Sequence, residues 1–512
     1  MEAAGGRDLS RLASGWLLSL FGIVCSGVVS FGFAILIGRT LGPKGAGVFF
    51  SSIALFSIIQ AAAALGGGAG MIRTVSRLRA LDRMGDVRPT VRVAVVPVIC
   101  FSVALAGAVY ALAPELSRIV IGGDSEAAAP LLRVLAPFLP VAAVSGAVLG
   151  SMRGLGGMAP FVAIEHVGKP ALRLVLALVV VLAGGNATGL ALAWAVPIGI
   201  AFIASTVTLV RLLSRGEERH AAAPIAGAAR RLAPEYWRFA SPLALASVLQ
   251  IALLWLDTIL LAALASPAEA GVYKAASTYV VQGAFASQAI IFVIGPLISA
   301  LFVAGNTRRA RAVYATATVW LTAIAWPIYL SMAVFAPTLM KAFGPEFTAG
   351  STALVILALS MLVGAAMGPV SVVLVMGGKS SWNLLNVAGA LGINVLLNIL
   401  LIPRFGMTGA AVAWGAAIAF NNLAPLLQVR SLLQLHPFSS GLGVATGLAI
   451  LCFGGLGIAA RLVLGLDVTT FITFVLTATA VYALLLWRFS RALQLDVLRE
   501  SLRTRRLRAR TA

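Results

Sequence analysis

Between Phe161 and Gly184 the chain reads FVAIEHVGKPALRLVLALVVVLAG, an apolar segment whose front half carries Glu165, His166, Lys169 and Arg173. Its uninterrupted apolar part, Leu174 to Ala183, is shorter than the ~20 residues that cross a bilayer. If the segment spans, charges enter the membrane with it, each costing roughly 2.5–3.5 kcal/mol at the centre of a helix. At about 100° per residue, Glu165, Lys169 and Arg173 fall near 0°, 40° and 80°, with His166 near 100°. All four share one face, which either turns inward or leaves Glu165, His166 and Lys169 at the cytoplasmic interface, where they snorkel. Glu165 and Lys169 form an i,i+4 pair in the favourable order, which lowers the cost of burial. Arg173 sits deepest and has Lys169, not a carboxylate, at i−4. A guanidinium and an ammonium in a low-dielectric recess are the fork-like and point-charge donors that an anionic phosphate group takes. Pro170 removes one backbone hydrogen bond from this helix and is expected to kink it.

Two further sets have spacing that suits chemistry. Gln250 and Asp257, seven residues apart, lie about 20° from each other on one helix. A carboxylate inside a membrane segment is an ion-coupling site, a counter-charge to Arg173, a structural partner of another basic residue, or a tip at the outer interface. Asn383, Asn386, Asn394 and Asn398 form a stripe roughly 120° wide on another helix. Such amides line a sugar path or glue two helices together. Gln60, Gln282 and Gln288 are single polar residues open to the same two readings. No His, Cys or carboxylates have metal-ligand spacing, and no nucleophile stands beside a base. Cys25, Cys100 and Cys452 lie in apolar runs and form no CxxC. GGGAG, Gly66 to Gly70, lacks the strand–helix setting of a nucleotide loop and reads as a flexible helix end. With no ATP-binding loop, energy is expected from an ion gradient or the membrane potential, or the process runs downhill. No cofactor is expected.

The elements that must hold these residues are membrane helices. The chain of 512 residues is 60% hydrophobic and 11% charged, with mean hydropathy +1.00. That excludes an ordinary soluble domain. The net charge of +21 is not a nucleic-acid footprint, because the basic residues punctuate apolar runs. Fourteen apolar segments are expected between residues 16 and 488, the fifth at 160–183, the seventh at 239–264 and the eleventh at 382–402. The N-terminal MEAAGGRDLSRLASG has no cleavable-signal pattern, so the first apolar run is expected to stay. Of the 38 Lys and Arg residues, 28 fall in the tails and the connections after even-numbered segments, eight fall opposite, and Lys169 and Arg173 lie within the fifth. The positive-inside rule then puts both termini in the cytoplasm, consistent with an even number of spans. The tail carries Leu495, Leu498 and Leu502 at helical spacing among arginines. It reads as a basic amphipathic helix on anionic lipids of the inner leaflet or as a disordered tail that only fixes orientation.

The chain also repeats itself. LGPKGAGVF, Leu41 to Phe49, returns as ASPAEAGVY, Ala265 to Tyr273, with Gly47 and Gly271 224 residues apart. NATGLALAWAV returns as GMTGAAVAWGA, with Trp194 and Trp414 220 residues apart. A helix-start role for the Thr-Gly pair explains why both copies keep it, although only the first has the form of a glycosylation sequon. A shift of six helices preserves orientation, so the halves are parallel, as in two-lobed transporters with a site between lobes. The expected divisions are a first lobe at 1–213, a cytoplasmic connection at 214–238, a second lobe at 239–435, two extra helices at 436–489 and a basic tail at 490–512.

These passages resemble the multidrug/oligosaccharidyl-lipid/polysaccharide exporter superfamily, and within it the polysaccharide transporter branch of O-antigen-type flippases. The resemblance rests on GRTLGPKGAGVF, on FASPLALASVLQIALLWLDTILLAALASPAEAGVYKAA, on FVIGPLIS around Pro296, and on RFGMTGAAVAW. The lipid II flippase branch has basic residues in its first helix, and Trp16 to Gly38 has none. The resemblance implies a non-enzymatic flippase in a bacterial inner membrane. It would act as a monomer, moving a polyprenyl-diphosphate-linked oligosaccharide to the outer leaflet by alternating access. Arg173 and Lys169 would then face the cavity and attract the diphosphate, Asn383, Asn386 and Asn394 would line the sugar path, and Asp257 and Glu165 would couple ions. The alternative is a cation-coupled multidrug exporter of the same superfamily. Arg173 and Lys169 lining the cavity with at most one acid favour the flippase. A membrane-embedded polymerase would want a large outer loop or a carboxylate pair, and the outer loops are short.

Overall fold

The computed structural model describes residues 2–121, 127–220 and 228–490, with side chains from Phe21 onward except at 215–229, 285–289 and 291–293. The basic C-terminal tail, the middle of the 214–238 connection and the side chain of Gln288 lie outside the described residues. Every regular element described is helical, as the apolar segments predict.

Packing divides the chain within one helix, between Lys274 and Ala275. The first unit holds α1 (Glu2–Ala63), α2 (Gly67–Ala80), α3 (Val87–Ala111), α4 (Ala113–Ile121), α5 (Ala129–Leu135), α6 (Phe138–Gly154) and α7 (Met158–Phe161). A π-helical stretch, Val162–Gly168, then leads into α8 (Lys169–Leu182), α9 (Ala187–His220), α10 (Ala228–Leu264) and the start of α11 (Pro267–Val303). The second unit holds the rest of α11 with α12 (Thr307–Val334), α13 (Ala336–Met340), α14 (Ser351–Met367), α15 (Val370–Met376) and α16 (Ser380–Leu433). It ends with α17 (Ser440–Ala449), α18 (Leu456–Leu464) and α19 (Val468–Arg488). The expected seventh segment, within α10, thus packs in the first unit.

Nine described helices are long and apolar enough to cross a membrane, or ten if α5 and α6, bent by 44°, count as one span. Two of the nine each hold two expected segments. α1 breaks at Gly42 (φ 66°, ψ −179°) and α16 at Gly406 (φ 52°, ψ −134°), conformations open to glycine and costly for other residues. The eighth expected segment, in α11, is described only in part, and the fifth is interrupted by the π-helical stretch.

In lipid, helices associate through close packing and polar contacts, since the tails are as apolar as the side chains. Small residues do this work in the first unit. The two copies of the repeated motif meet backbone to backbone: a Cβ on Gly47 would collide with the carbonyl of Pro267, and a Cβ on Gly271 with the carbonyl of Pro43. That reciprocity is what a duplicated element produces when its copies pack symmetrically. The GGGAG run is also a contact, because a Cβ on Gly150 would strike the carbonyl of Gly68. Close approach, rather than flexibility, accounts for its glycines: Gly67 and Gly68 meet α6, and Gly66 and Gly70 meet α10. Around this crossing Met71, Val75, Val98, Ala147, Leu213 and Tyr236 form a core joining α2, α3, α6, α9 and α10.

The second unit is stitched by tyrosines whose hydroxyls donate to carbonyls elsewhere. Tyr314 donates to Met367 (2.8 Å) and Tyr329 to Val280 (3.2 Å). A buried hydroxyl needs such a partner. The two extra C-terminal helices attach to this unit through Tyr482, which donates to Ala323 of α12 (3.1 Å).

Candidate functional site: a cationic cavity in the first unit

The charged segment lies across a change of helix type. Pro170, second in α8, has no N–H to give back along the helix, and its ring would crowd the carbonyl four residues earlier. The turns just before it, Val162–Gly168, are π-helical, so the wider turn takes up the disruption expected as a kink. α8 then presents Val175, Leu178, Val179 and Leu182 as an exposed apolar stripe. Arg173 is two residues from Val175, about 200° around the helix, and therefore faces the protein.

There Glu165, Lys169 and Arg173 line one cavity of about 340 Å3, with residues from α1, α6, α9 and α10. Glu165 and Lys169 are ion-paired, their side chains about one-fifth exposed. Arg173 is held differently. Its Nε donates to the carbonyl of Trp194 (3.0 Å), and its guanidinium lies over the Trp194 ring at 4.3 Å. Among the described residues no carboxylate is within ion-pairing reach of it. The stack and the Nε bond occupy one face and one edge of the guanidinium, leaving terminal donors for the cavity. His166, expected on this face, does not line the cavity; its ring meets Phe161 edge-on, centroids 5.3 Å apart.

The other walls combine hydroxyls and indoles with apolar residues such as Leu149 and Ile198. Ser57, Ser145 and Ser205 each donate to a carbonyl of their own helix, at 2.7, 2.7 and 3.0 Å, so their oxygens offer acceptor lone pairs. Gln60 donates to Ala142 (3.4 Å) and also borders the cavity. Trp255 closes another side, with the ammonium of Lys274 over its ring at 3.9 Å. Sequence reasoning passed over Trp194, Trp255 and the three serines. The available signal was the recurrence of Trp194 as Trp414, read as a mark of duplication and not as an aromatic seat for a nearby cation.

Asp257 does not line this cavity. It is buried and accepts a hydrogen bond from Tyr273 (3.0 Å), with the buried Lys274 close enough to interact electrostatically. The acid in the cavity is Glu165. The asparagine stripe belongs to the second unit, on α16. Asn386 and Gln428 exchange two amide hydrogen bonds, at 2.7 and 2.8 Å, across the turn-back of that helix. Asn383 is half-buried. Asn394 is fully buried, and neither polar atom of its amide has a hydrogen-bond partner. Among the described residues no cluster of three metal-ligating side chains occurs.

A polytopic helical chain with a polar, charged cavity among apolar helices has the build of a membrane transporter. The fold matches known transporters over most of its length. One is "Lipid II flippase MurJ, inward closed conformation", with TM-score 0.69 and 12% identity over 93% of this chain and 99% of that one. Another is an inward-facing multidrug resistance MATE family transporter of the MOP superfamily, with TM-score 0.65 and 15% identity over 81% of this chain and 98% of that one. Residues 36–348 match the family described as polysaccharide biosynthesis protein, and the chain belongs to that family. A curated relative, "Probable low-salt glycan biosynthesis flippase Agl15" of Haloferax volcanii, is 25% identical over 209 residues. That match covers 39% of this chain and 43% of the relative. The family assignment and the fold agree with the resemblance read from the sequence.

Proposed function

We propose that the chain is a flippase that moves a polyprenyl-diphosphate-linked oligosaccharide from the cytoplasmic to the outer leaflet for surface polysaccharide synthesis. The observation that carries this reading is Arg173, fixed by the Trp194 ring and carbonyl, beside Lys169 in a cavity with one acid. Two cations against one carboxylate suit an anionic group. A guanidinium whose orientation is already set loses little freedom when it binds phosphate. Serine oxygens that accept suit sugar hydroxyls that donate. Membership of a polysaccharide biosynthesis family and the name of the Haloferax relative point the same way.

In this mechanism the Glu165–Lys169 pair covers Lys169 while the cavity is empty. An arriving diphosphate competes with Glu165 for the ammonium. The released carboxylate then takes a cation or proton, which links substrate occupancy to an ion gradient. Asp257, held by Tyr273, is the second proposed coupling acid. Alternating access exposes the cavity to each side in turn, with the lipid tail remaining in the bilayer. The protein acts without a cofactor and catalyses no covalent step, in a bacterial inner membrane with both termini cytoplasmic.

Glu165 in the cavity also favours a second reading, a cation-coupled multidrug exporter. Arg173→Ala separates the two. Under the flippase reading this variant accumulates normally but loses surface glycan, and drug susceptibility is unchanged. Normal surface glycan with heightened drug susceptibility would replace the flippase with the exporter.

A further inference from the structure

Away from the cationic cavity, the first unit has a small recess of about 40 Å3 between α2 and α10. Arg73 and Arg77 line it from the arginine-rich end of α2, Arg83 from the turn that follows, and Tyr236 and Phe239 from α10. That volume holds a compact polar group of a few heavy atoms. Tyr236 is 2% exposed, its ring packed where α2 offers only Gly70. Its hydroxyl nonetheless has no hydrogen-bond partner. Buried hydroxyls are nearly always bonded, and an exception asks for an explanation.

The arginines are arranged to leave donors available. The Arg73 guanidinium rests over the Phe239 ring at 4.0 Å, which orients it without engaging its edge. Arg77 pairs with Glu235, both about half exposed. An exposed pair of this kind contributes little and exchanges readily for a better anion. Arg83 is held by Asp86 at 2.5 Å. Leu81, 54% exposed, adds apolar surface beside these charges.

We propose that this recess binds a phosphate group, presented by an anionic phospholipid headgroup or as a free anion. The phosphate oxygens accept from the Arg73 and Arg77 guanidinium edges and from the Tyr236 hydroxyl, which thereby gains the partner it lacks. Neither group belongs to the cationic cavity, so the proposal stands or falls independently of the flippase reading.

The test measures thermal midpoints of the full chain in detergent as phosphatidylglycerol, phosphatidylcholine or inorganic phosphate is titrated in. Phosphatidylglycerol is expected to raise the midpoint where phosphatidylcholine does not. Tyr236→Phe, which keeps the ring, should weaken the apparent affinity by about tenfold, the loss of one charge-assisted hydrogen bond. Arg73→Gln, at an exposed position, should do the same and serves as the second variant if Tyr236→Phe folds poorly. A matching shift with inorganic phosphate identifies a free-anion site, and a shift with phosphatidylglycerol alone identifies a lipid site. No shift with either probe, or a shift that both variants retain, overturns the proposal.

Discussion

Asp257 accepts a hydrogen bond from the hydroxyl of Tyr273, 3.0 Å away, and 224 residues earlier Phe33 packs against Phe49 with ring centroids 6.1 Å apart. The repeat offset that equates Gly47 with Gly271 equates these two pairs as well. The same helix–helix contact is therefore apolar in one copy and polar in the other. A buried charge-assisted pair is costly to break from one side, since the remaining partner stays desolvated. Tyr273→Phe is expected to lower stability by about 1.5–3 kcal/mol, read as a fall in the thermal midpoint of the purified chain. An unchanged midpoint would mean that the bond adds nothing to packing.

Arg173 should be sensitive to shape as well as charge. Lysine keeps the charge but loses the stacked plane and the fork. Arg173→Lys and Trp194→Leu are each expected to cut glycan export by at least about tenfold while accumulation is retained. If Arg173→Lys exports normally, charge alone suffices and the Trp194 seat is incidental.

The Glu165–Lys169 pair predicts an ordering of variants. Lys169→Met leaves the mostly buried Glu165 without its partner, whereas Lys169→Met with Glu165→Gln removes both charges. The double variant should be more stable than the single one by roughly 1–2 kcal/mol, discounted for partial exposure. Equal thermal midpoints would show that the pair is solvated in the folded protein.

Asn386 tests the two readings of the amide stripe. Its paired bonds with Gln428 are worth about 0.6–2 kcal/mol per contact on the membrane-helix scale. Asn386→Leu should lower the thermal midpoint and leave export intact if the pair is glue. Loss of export with an unchanged midpoint would return the residue to the sugar path.

Gly47→Ala is expected to prevent accumulation, because a methyl group there meets the Pro267 carbonyl, which belongs to a backbone and cannot turn aside. Size-exclusion of a fluorescent fusion measures this, and a monodisperse peak at the usual height would contradict the close crossing.

Much of the fold was legible because membranes simplify the problem. Every backbone polar group must be satisfied within the segment, so apolar length alone predicts helices. The repeated AGV motif announced a duplication, and its reciprocal packing follows from residues too small to hold the backbones apart. The number of crossings was less legible. Gly42 and Gly406 bend two long helices where hydropathy shows only a dip, and hydropathy does not distinguish a bend from a loop.

For the site, periodicity along one helix put Glu165, Lys169 and Arg173 on a common face, and the cavity receives all three. The same arithmetic placed His166 with them, but it lies in π-helical turns, where 100° per residue does not hold, and its ring packs edge-on against Phe161. Asp257 carried the same label of intramembrane acid as Glu165, yet one lines a cavity and the other is bound to a tyrosine. Spacing within a segment is a local quantity, set by 3.6 residues per turn, and the chain alone determines it. Which charge meets an indole, a carbonyl or open space depends on side chains more than twenty residues away in sequence, as Trp194 is from Arg173. Only the packed helices decide that.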